Sequence, residues 1–495
     1  MEPITRRQAL QLGVAGSLGV VVGGVGLSQT GLPWTDPGGV PLAPTAGRAG
    51  AAAELVEPEL VASRDGLLRV DLVPAAQVNK IAGRQAKVLT YNGTLPGQTW
   101  QVRPGDRIEV RLRNELDTAT NLHTHGLVVS PQGNGDNPFI SIEPGENFDY
   151  RIDLPPDHPT GVFWYHPHRH GTVAEQIFSG LYGAIIVTGD EIPVSSERVL
   201  IISDISLTAD GEIAPVSAQE VMMGREGDLV LVNGQHQPRL VARPGERERW
   251  RVINACTSRY LRLALPGQDL ELLGIDGGHE PTPRMVEDVV LAPGNRADLL
   301  VTMRNGTSDF RALGYDRGGM GMMGAGMSGP VTLATLTVTG QHAGTVRPVP
   351  GRPVDPDLRE RTVDRRREIA FTMSMGGRMM GPGGMGDMMD LGFDGRAFDA
   401  NRVDQRATAG VVEEWTIANP TPMDHPFHLH VWPMQLIEDN GEPVDQPSWR
   451  DVVNVPAQGQ VRVLADFTRH PGRSVYHCHI LDHEDAGMMA VVETT

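Results

Sequence analysis

The stretch Arg103-Pro104-Gly105-Asp106-Arg107-Ile108-Glu109-Val110-Arg111-Leu112-Arg113-Asn114 recurs 140 residues later, without a gap, as Arg243-Pro244-Gly245-Glu246-Arg247-Glu248-Arg249-Trp250-Arg251-Val252-Ile253-Asn254. A weaker third copy runs from Gly410 to Asn419, with Trp415 where the second copy has Trp250. In each copy a glycine turn leads into alternating apolar and polar residues, which is typical of a strand half buried in a sheet. The repeat predicts three copies of one β-sheet unit.

Short turn signals between the strands extend this pattern. Asn92-Gly93, Asn233-Gly234 and Asp394-Gly395 precede the three copies, and such pairs favour tight hairpins. Runs such as Ala184–Val187 and Ala297–Val301 read as strands, while long helical periodicity is scarce. We therefore predict an all-β protein of three β-sandwich domains, at residues 54–190, 191–345 and 346–495.

Composition narrows the class of protein. The chain has 495 residues, enough for two to four domains, with 59 glycines and 38 prolines as expected of a turn-rich protein. A net charge of −18 argues against a nucleic-acid partner, because phosphate binding needs a basic surface. If Cys478 ligates a metal, Cys256 is left without a disulfide partner, and its strand-like surroundings indicate a small buried hydrophobe.

The first 53 residues read as a targeting segment. The pair Arg6-Arg7 precedes a weakly apolar, glycine-rich stretch from Leu10 to Leu27, which is typical of a twin-arginine export signal. The stretch is short and poor for a membrane span, so we favour a cleaved signal over an anchor. Residues 1–53 would be a signal with a Pro/Gly-rich spacer, and the mature protein would be periplasmic or secreted.

Histidines recur in the two outer repeats at matched positions. His123 lies nine residues after Asn114, and His428 lies nine after Asn419. The middle repeat has no histidine in the equivalent strands. Two His-x-His pairs from each outer domain predict eight imidazoles at one interface: His123, His125, His166, His168, His428, His430, His477 and His479.

A second constellation surrounds the cysteine in the stretch from Tyr476 to Met489. Two histidines, one cysteine and a weak axial methionine are the ligands of a blue-copper site, and His425, His483, Cys478 and Met488 supply them. Side chains alternate along a strand, so His477 and His479 would face a second centre on the other side. Taken alone, the stretch also fits a zinc site or a Cys/His-rich surface loop.

The blocks at 123–126, 166–168, 425–430 and 477–488 resemble those of the multicopper oxidases, over essentially the whole mature chain, and within that superfamily the chain resembles the three-domain bacterial laccases and the copper-efflux oxidases. The resemblance implies three cupredoxin-like Greek-key β-sandwiches and four coppers per chain. It places a type 2 copper on His123 and His428. One type 3 copper would lie on His125, His166 and His479 and the other on His168, His430 and His477, with the type 1 copper on His425, Cys478, His483 and Met488. Thr124 stands where many members have tryptophan, at a position that is not a ligand.

The resemblance also implies an oxidase that takes single electrons at Cys478 and reduces O2 to water with four. Glu484 matches the proton-relay carboxylate of the family, and Asp136 matches the acid near the type 2 copper; a turn residue is the alternative for Asp136. Asp424, beside His425, is a further candidate for the substrate edge.

Two methionine-dense segments bear on the substrate. One contains Met320, Met322, Met323 and Met327; the other contains Met373, Met375, Met379, Met380, Met385, Met388 and Met389. Thioethers favour Cu(I), so recruitment of Cu(I) or a lid over the type 1 site is the functional interpretation, and adaptable packing in a low-complexity loop is the other. We expect phenols, aromatic amines or Cu(I) as electron donors to a monomeric enzyme. The alternatives are a dedicated cuprous oxidase for copper tolerance and a copper-free cupredoxin-fold envelope protein.

Overall fold

The computed structural model describes residues 53–319, 327–344, 346–375 and 389–495. Strands dominate these residues, and the helices are one or two turns long. No helix among the described residues has both the length and the apolar character needed to cross a membrane. The all-β prediction is confirmed.

The first part of the chain forms one five-stranded and one three-stranded sheet, of order β1-β5-β10-β9-β7 and β2-β6-β8, with the hairpin β3-β4 beside them. Trp100 and Tyr165 stack between strands of its core, with ring centroids 3.9 Å apart. The elements are β1 Leu60–Ala62, β2 Leu67–Leu72, β3 Pro74–Ile81, β4 Arg84–Tyr91, β5 Thr99–Val102, β6 Arg107–Arg113, β7 His123–His125, β8 Asn147–Asp153, β9 Gly161–His166, α1 Val173–Phe178 and β10 Gly183–Val187.

The middle part packs a seven-stranded sheet, β13-β12-β11-β15-β20-β17-β18, with a five-stranded sheet, β14-β24-β21-β16-β19. Strands β22 and β23 form a separate pair. The elements are β11 Ser196–Ile205, α2 Ala218–Met223, β12 Leu229–Val232, β13 Gln235–His236, β14 Arg239–Ala242, β15 Arg247–Asn254, β16 Leu261–Ala264, β17 Asp269–Ile275, β18 Arg284–Met285, β19 Asp288–Leu291, β20 Arg296–Thr302, β21 Gly306–Leu313, β22 Tyr315–Asp316, β23 Met327–Ser328 and β24 Val331–Val338.

The last part packs a six-stranded sheet, β26-β25-β28-β33-β30-β31, against a five-stranded sheet, β27-β35-β34-β29-β32. A 3-10 helix spans Leu358–Glu360. The remaining elements are β25 Val363–Met375, β26 Met389–Phe393, β27 Gln405–Ala407, β28 Val412–Asn419, β29 His425–Leu429, β30 Met434–Asp439, β31 Glu442–Arg450, β32 Val452–Val455, β33 Gly459–Asp466, β34 Gly472–Cys478, α3 Leu481–Asp485 and β35 Met489–Thr494.

The repeated stretch forms the same strand in all three parts. Strands β6, β15 and β28 each pair in parallel with an earlier strand (β2, β11 and β25) and antiparallel with a later one (β8, β20 and β33). The Asn-Gly and Asp-Gly pairs have positive φ at both residues, as a tight hairpin turn requires. The three-sandwich architecture predicted from the repeat is therefore confirmed.

The asparagine that ends each copy explains why the copies match. Asn114, Asn254 and Asn419 each accept a hydrogen bond from the backbone N–H two residues later. Each side-chain amide also donates to a carbonyl four or five residues on and to another in a neighbouring segment. Such a side chain stands in for a missing backbone partner at a turn. In the outer two copies this turn leads to the strands β7 and β29, which carry histidines.

Candidate metal centre

Cys478 lies at the end of β34, between two buried imidazoles. Its Sγ is 3.4 Å from Nδ1 of His425 and 3.8 Å from Nδ1 of His483. The outer nitrogens are already engaged, since His425 Nε2 lies 2.9 Å from Thr421 Oγ1 and His483 Nε2 lies 2.9 Å from the Met222 carbonyl oxygen. A hydrogen bond at Nε2 fixes the tautomer and leaves the Nδ1 lone pair facing the sulfur.

The surroundings of this thiol are apolar. Cys478 and Met488 belong to one buried cluster, and the Cys478 N–H donates to the Met488 carbonyl at 3.0 Å. Burial raises the pKa of the Cys478 thiol well above its ordinary value and lowers the pKa of His483 to about 4. The imidazoles are therefore neutral, which is the form that binds metal, and binding of a cation to the sulfur would release the thiol proton.

On the other side of β34 the eight predicted histidines form one buried cluster. Nε2 of His477 lies 3.1 Å from Nε2 of both His168 and His430, and Nδ1 of His125 lies 3.4 Å from Nε2 of His166. Ligand atoms converge within 4.8 Å in the following groups: His125, His166 and His479; His168, His430 and His477; and His123, His125 and His428. The two type 3 groupings and the type 2 pair implied by the sequence are thus each brought together.

The cluster leaves ring nitrogens without partners. Nε2 of His123, Nε2 of His428 and both ring nitrogens of His479 are buried and lack a hydrogen bond. Burial and the neighbouring imidazoles hold the pKa of each of these histidines well below its usual value. Buried polar atoms are normally satisfied, so this concentration of unused lone pairs in the described chain fits a set of bound metal ions.

Comparison with known proteins agrees with this geometry. Family models described as "Multicopper oxidase" match residues 73–191, 202–316 and 363–495. The chain belongs to the multicopper oxidases. Its cofactor is copper, and the groups of converging histidine and cysteine ligand atoms are consistent with four copper ions per chain.

Similar proteins include a "Multicopper oxidase mco" from Staphylococcus haemolyticus, 26% identical over 83% of this chain and 84% of that protein. A "Cell division protein FtsP" from Escherichia coli is 29% identical over 87% of this chain and 89% of its own length. Among solved structures, the "Multicopper oxidase from Campylobacter jejuni: a metallo-oxidase" is 29% identical, with a TM-score of 0.80 over 90% of this chain and 95% of that one.

Both predicted acids of this multicopper oxidase lie against the histidine cluster. The Asp136 carboxylate oxygens are each 3.0 Å from Nδ1 of His123, and one accepts the Thr124 N–H at 2.9 Å. Glu484 Oε2 lies 3.0 Å from Nδ1 of His477. Burial raises the pKa of each carboxyl to about 7. Asp136 does follow a turn, at Gly135, but it is only 2% exposed and points inward.

Helix α3 connects the two centres, and all three parts of the chain hold it. His483 and Glu484 lie in α3. Arg225, from the middle part, donates a hydrogen bond through Nη2 to Asp482 Oδ1 at 2.7 Å. From the first part, the backbone N–H groups of Gly171 and of the first two residues of α1 donate to the Asp485 carboxylate. The sequence carried no signal for these contacts, because the partners lie hundreds of residues away.

The other sequence candidates have varied positions. Asp424 is 7% exposed, and its oxygens accept hydrogen bonds from the Tyr315 hydroxyl, the Asn454 amide and the Ala457 N–H. Three donors within the protein thus satisfy that carboxylate, and its position at a substrate edge stays a prediction. Cys256 is a buried free cysteine, as predicted.

The methionine-rich segments are only partly described. Met373 is half-buried in β25 and packs against the core of the last part, and Met375 pairs in register with Met389. Strands thus reach further into this segment than its composition suggested. Met379, Met380, Met385 and Met388 lie outside the described residues, as do Met320, Met322 and Met323.

One cavity of about 460 Å³ adjoins the histidine cluster rather than the cysteine. It is lined by residues from all three parts, including Gly126, His279, Trp432, Trp449, Asp451 and Arg469. Asp451 contacts Nε2 of His125 at 3.0 Å, so solvent in the cavity reaches the neighbourhood of the histidines.

Proposed function

We propose that this multicopper oxidase takes electrons from Cu(I), and also from phenols and aromatic amines, at the site of Cys478. Oxidation of a donor coupled to four-electron reduction of O2 is the activity of its family. The convergence of His425, Cys478 and His483 on one point, back to back with eight imidazoles, is the observation that supports the proposal.

The proposed ligand roles follow the groups of converging nitrogens. His425, Cys478, His483 and Met488 would hold the type 1 copper, and His123 with His428 the type 2 copper. His125, His166 and His479 would hold one type 3 copper, and His168, His430 and His477 the other. Bound copper supplies one-electron redox chemistry at the first site and O2 reduction at the second.

The protein's own part is to join and protonate these sites. Cys478 is covalently bonded through the backbone to His477 and His479, so the two centres are linked by a few bonds. Glu484 sits 3.0 Å from Nδ1 of His477, and its pKa of about 7 lets its carboxyl hold and release a proton near neutral pH. Every proposed protein ligand is buried.

Cu(I) is proposed as a donor because Met222 lies beside His483 and two further methionines pack against the core of the last part. Met223 and Met373 pack against the cluster that contains Cys478, and the Met222 carbonyl lies on His483. Soft thioethers favour Cu(I) over harder cations. The similar protein from Campylobacter jejuni is a metallo-oxidase, which is consistent with metal oxidation by this chain.

We further propose that the domains extend over 54–190, 191–345 and 346–495, and that residues 1–53 direct export to the periplasm or the outside. A monomer is the proposed state. The second candidate is a copper-free cupredoxin-fold envelope protein, and the similarity to a protein named for cell division is the observation that favours it. The unpartnered imidazole nitrogens favour the oxidase, since a copper-free protein would have to leave them buried and unsatisfied.

The test combines copper content with O2 uptake. Wild-type protein should bind four coppers and consume O2 with Cu(I) and with a phenol. Residues 376–388 are then replaced by Asn-Gly, which can join the paired residues Met375 and Met389 as a tight turn. Loss of Cu(I) oxidation with phenol oxidation retained would assign the segment to copper recruitment.

The matched control keeps the segment's length and changes Met379, Met380, Met385 and Met388 to leucine. It separates loss of thioethers from loss of a lid. Fewer than four coppers in the wild type, or no O2 uptake with either donor, would reject the oxidase and favour the envelope role.

A further inference from the structure

Asp451 contacts two histidines of the cluster at once. It lies between β31 and β32, and its Oδ1 is 3.0 Å from Nε2 of His125. Its backbone carbonyl oxygen is 2.7 Å from Nδ1 of His428. Because a carbonyl and a carboxylate accept hydrogen bonds, His125 donates through Nε2 and His428 through Nδ1. The nitrogens left with free lone pairs are Nδ1 of His125 and Nε2 of His428.

These two free nitrogens face into the cluster. Nδ1 of His125 lies 3.4 Å from Nε2 of His166, a distance at which two lone pairs repel unless a cation separates them. Nε2 of His428 is buried without a partner. The rings of His125 and His428 stack at 4.0 Å, so Asp451 orients them as a pair.

Arg296 holds Asp451 from the middle part of the chain. It is fully buried, and its Nη1 and Nη2 contact the two Asp451 oxygens at 2.5 and 2.6 Å. Its Nε donates to the Val162 carbonyl of the first part at 3.0 Å. Asp276 also holds both residues in place, because its carboxylate accepts hydrogen bonds from the backbone N–H groups of Arg296 and Asp451.

Space around this pair is filled. A Cβ on Gly126, which follows His125, would come within 2.5 Å of Arg296 Nη2 and 2.8 Å of Asp451 Oδ2. A planar guanidinium in two-point contact with a carboxylate also fixes the direction of each oxygen. The Oδ1 that faces His125 therefore has one available position.

We infer that Arg296 and Asp451 are positioning residues that select the metal-binding nitrogens of His125 and His428. The middle domain, which supplies no copper ligand under the proposed function, would in this way govern the copper cluster formed by its neighbours. The inference rests on those proposed ligand roles. It predicts that loss of the Asp451 charge weakens copper at the eight-histidine cluster and spares the copper at Cys478.

The test compares Asp451→Asn with Asp298→Asn. Asp298 is a matched control because it forms an equally buried two-point contact with Arg249, at 2.9 and 2.5 Å, and no histidine of the cluster contacts it in the described structure. Copper retention against a chelator is measured together with the blue absorption of the type 1 site, the near-ultraviolet absorption of the type 3 pair and the electron paramagnetic resonance of the type 2 copper.

Asp451→Asn should retain the cluster coppers about 10- to 100-fold less well than the wild type, as outer-sphere partners of ligands typically contribute. Its blue absorption should persist, and Asp298→Asn should match the wild type in copper and in spectra. Arg296→Lys keeps the charge but loses the two-point contact, so it should weaken retention by less and gives a second measurement if Asp451→Asn fails to fold.

Wild-type spectra and copper retention in Asp451→Asn would overturn the inference, and so would equal losses in the Asp298→Asn control. If the wild-type protein itself binds fewer than four coppers, the proposed function has failed instead, and the two failures are distinguished.

Discussion

The ion pair between Arg225 and Asp482 should stabilise the helix that carries His483. Arg225 Nε and Nη2 lie 2.9 and 2.7 Å from Asp482 Oδ1, and the two residues are 6% and 3% exposed. Arg225→Met keeps the aliphatic stem and leaves the Asp482 carboxylate with the backbone N–H of residue 225. Removing one partner of such a buried pair costs about 3–5 kcal/mol, or roughly 6–20 °C in the midpoint of a domain of this size.

Thermal unfolding of the copper-loaded protein, followed by the blue absorption and by circular dichroism, measures this loss. Arg469→Met is the control, because Arg469 and Asp157 form a two-point pair that is 41% and 64% exposed, and such pairs contribute at most about 1 kcal/mol. Arg225→Met combined with Asp482→Leu should recover most of the loss, since no buried charge is left unpaired: Glu175, the other partner of Arg225, is 58% exposed. A shift in Arg225→Met no larger than that of Arg469→Met would refute the reasoning.

Three further predictions follow from the buried groups. Burial raises the pKa of Glu484 from 4.5 to about 7, so its negative charge disfavours the folded state above pH 4.5. In denaturant titrations of the copper-free protein, the free energy of unfolding of Glu484→Gln should equal that of the wild type near pH 4. Near pH 8 it should exceed that of the wild type by up to about 3 kcal/mol. Gly294→Ala should lose copper from the histidine cluster, because the added Cβ would lie 2.7 Å from Nε2 of His479. The control Gly410→Ala has a similar φ and no atom within 4 Å of its added Cβ, so metal analysis should find its copper unchanged. Cys256 should resist thiol reagents in the native protein and react after denaturation, since burial raises its pKa well above normal; rapid native labelling would contradict this.

Much of the fold was predictable because its determinants are local. Glycine turns, alternating strands and the asparagine at the end of each copy lie within a dozen residues, so the repeat predicted the sheets that β6, β15 and β28 enter. Periodicity did not predict that β15 is buried along nearly its whole length, including Arg249 and Arg251. Those arginines are buried through ion pairs with residues far along the chain, which no local pattern encodes.

The candidate site divides in the same way. The histidines and the cysteine that would bind metal were identifiable from their spacing. His-x-His places two imidazoles on one face of a strand, and His-Cys-His places the cysteine on the opposite face from its two neighbours. The partners that orient them were not, since Asp451 reaches His125 across 326 residues and the Met222 carbonyl reaches His483 across 261. A backbone carbonyl has no side-chain signature at all. The copper-ligand roles stay predictions until metal and spectra are measured, and the domain limits stay predictions as well.

Four of the eight histidines lie in or next to β7 and β9, and the other four lie in or next to β29 and β34, so the two groups are translated at different times. His123 precedes His479 by 356 residues, and a ribosome adds residues in that order. A nascent chain that has produced only the first sandwich offers four imidazoles, half of the set, and no cysteine thiolate. The complete set of proposed ligands therefore exists only after the last sandwich has been translated, and an incomplete chain would lack the thiolate on which the expected blue colour depends.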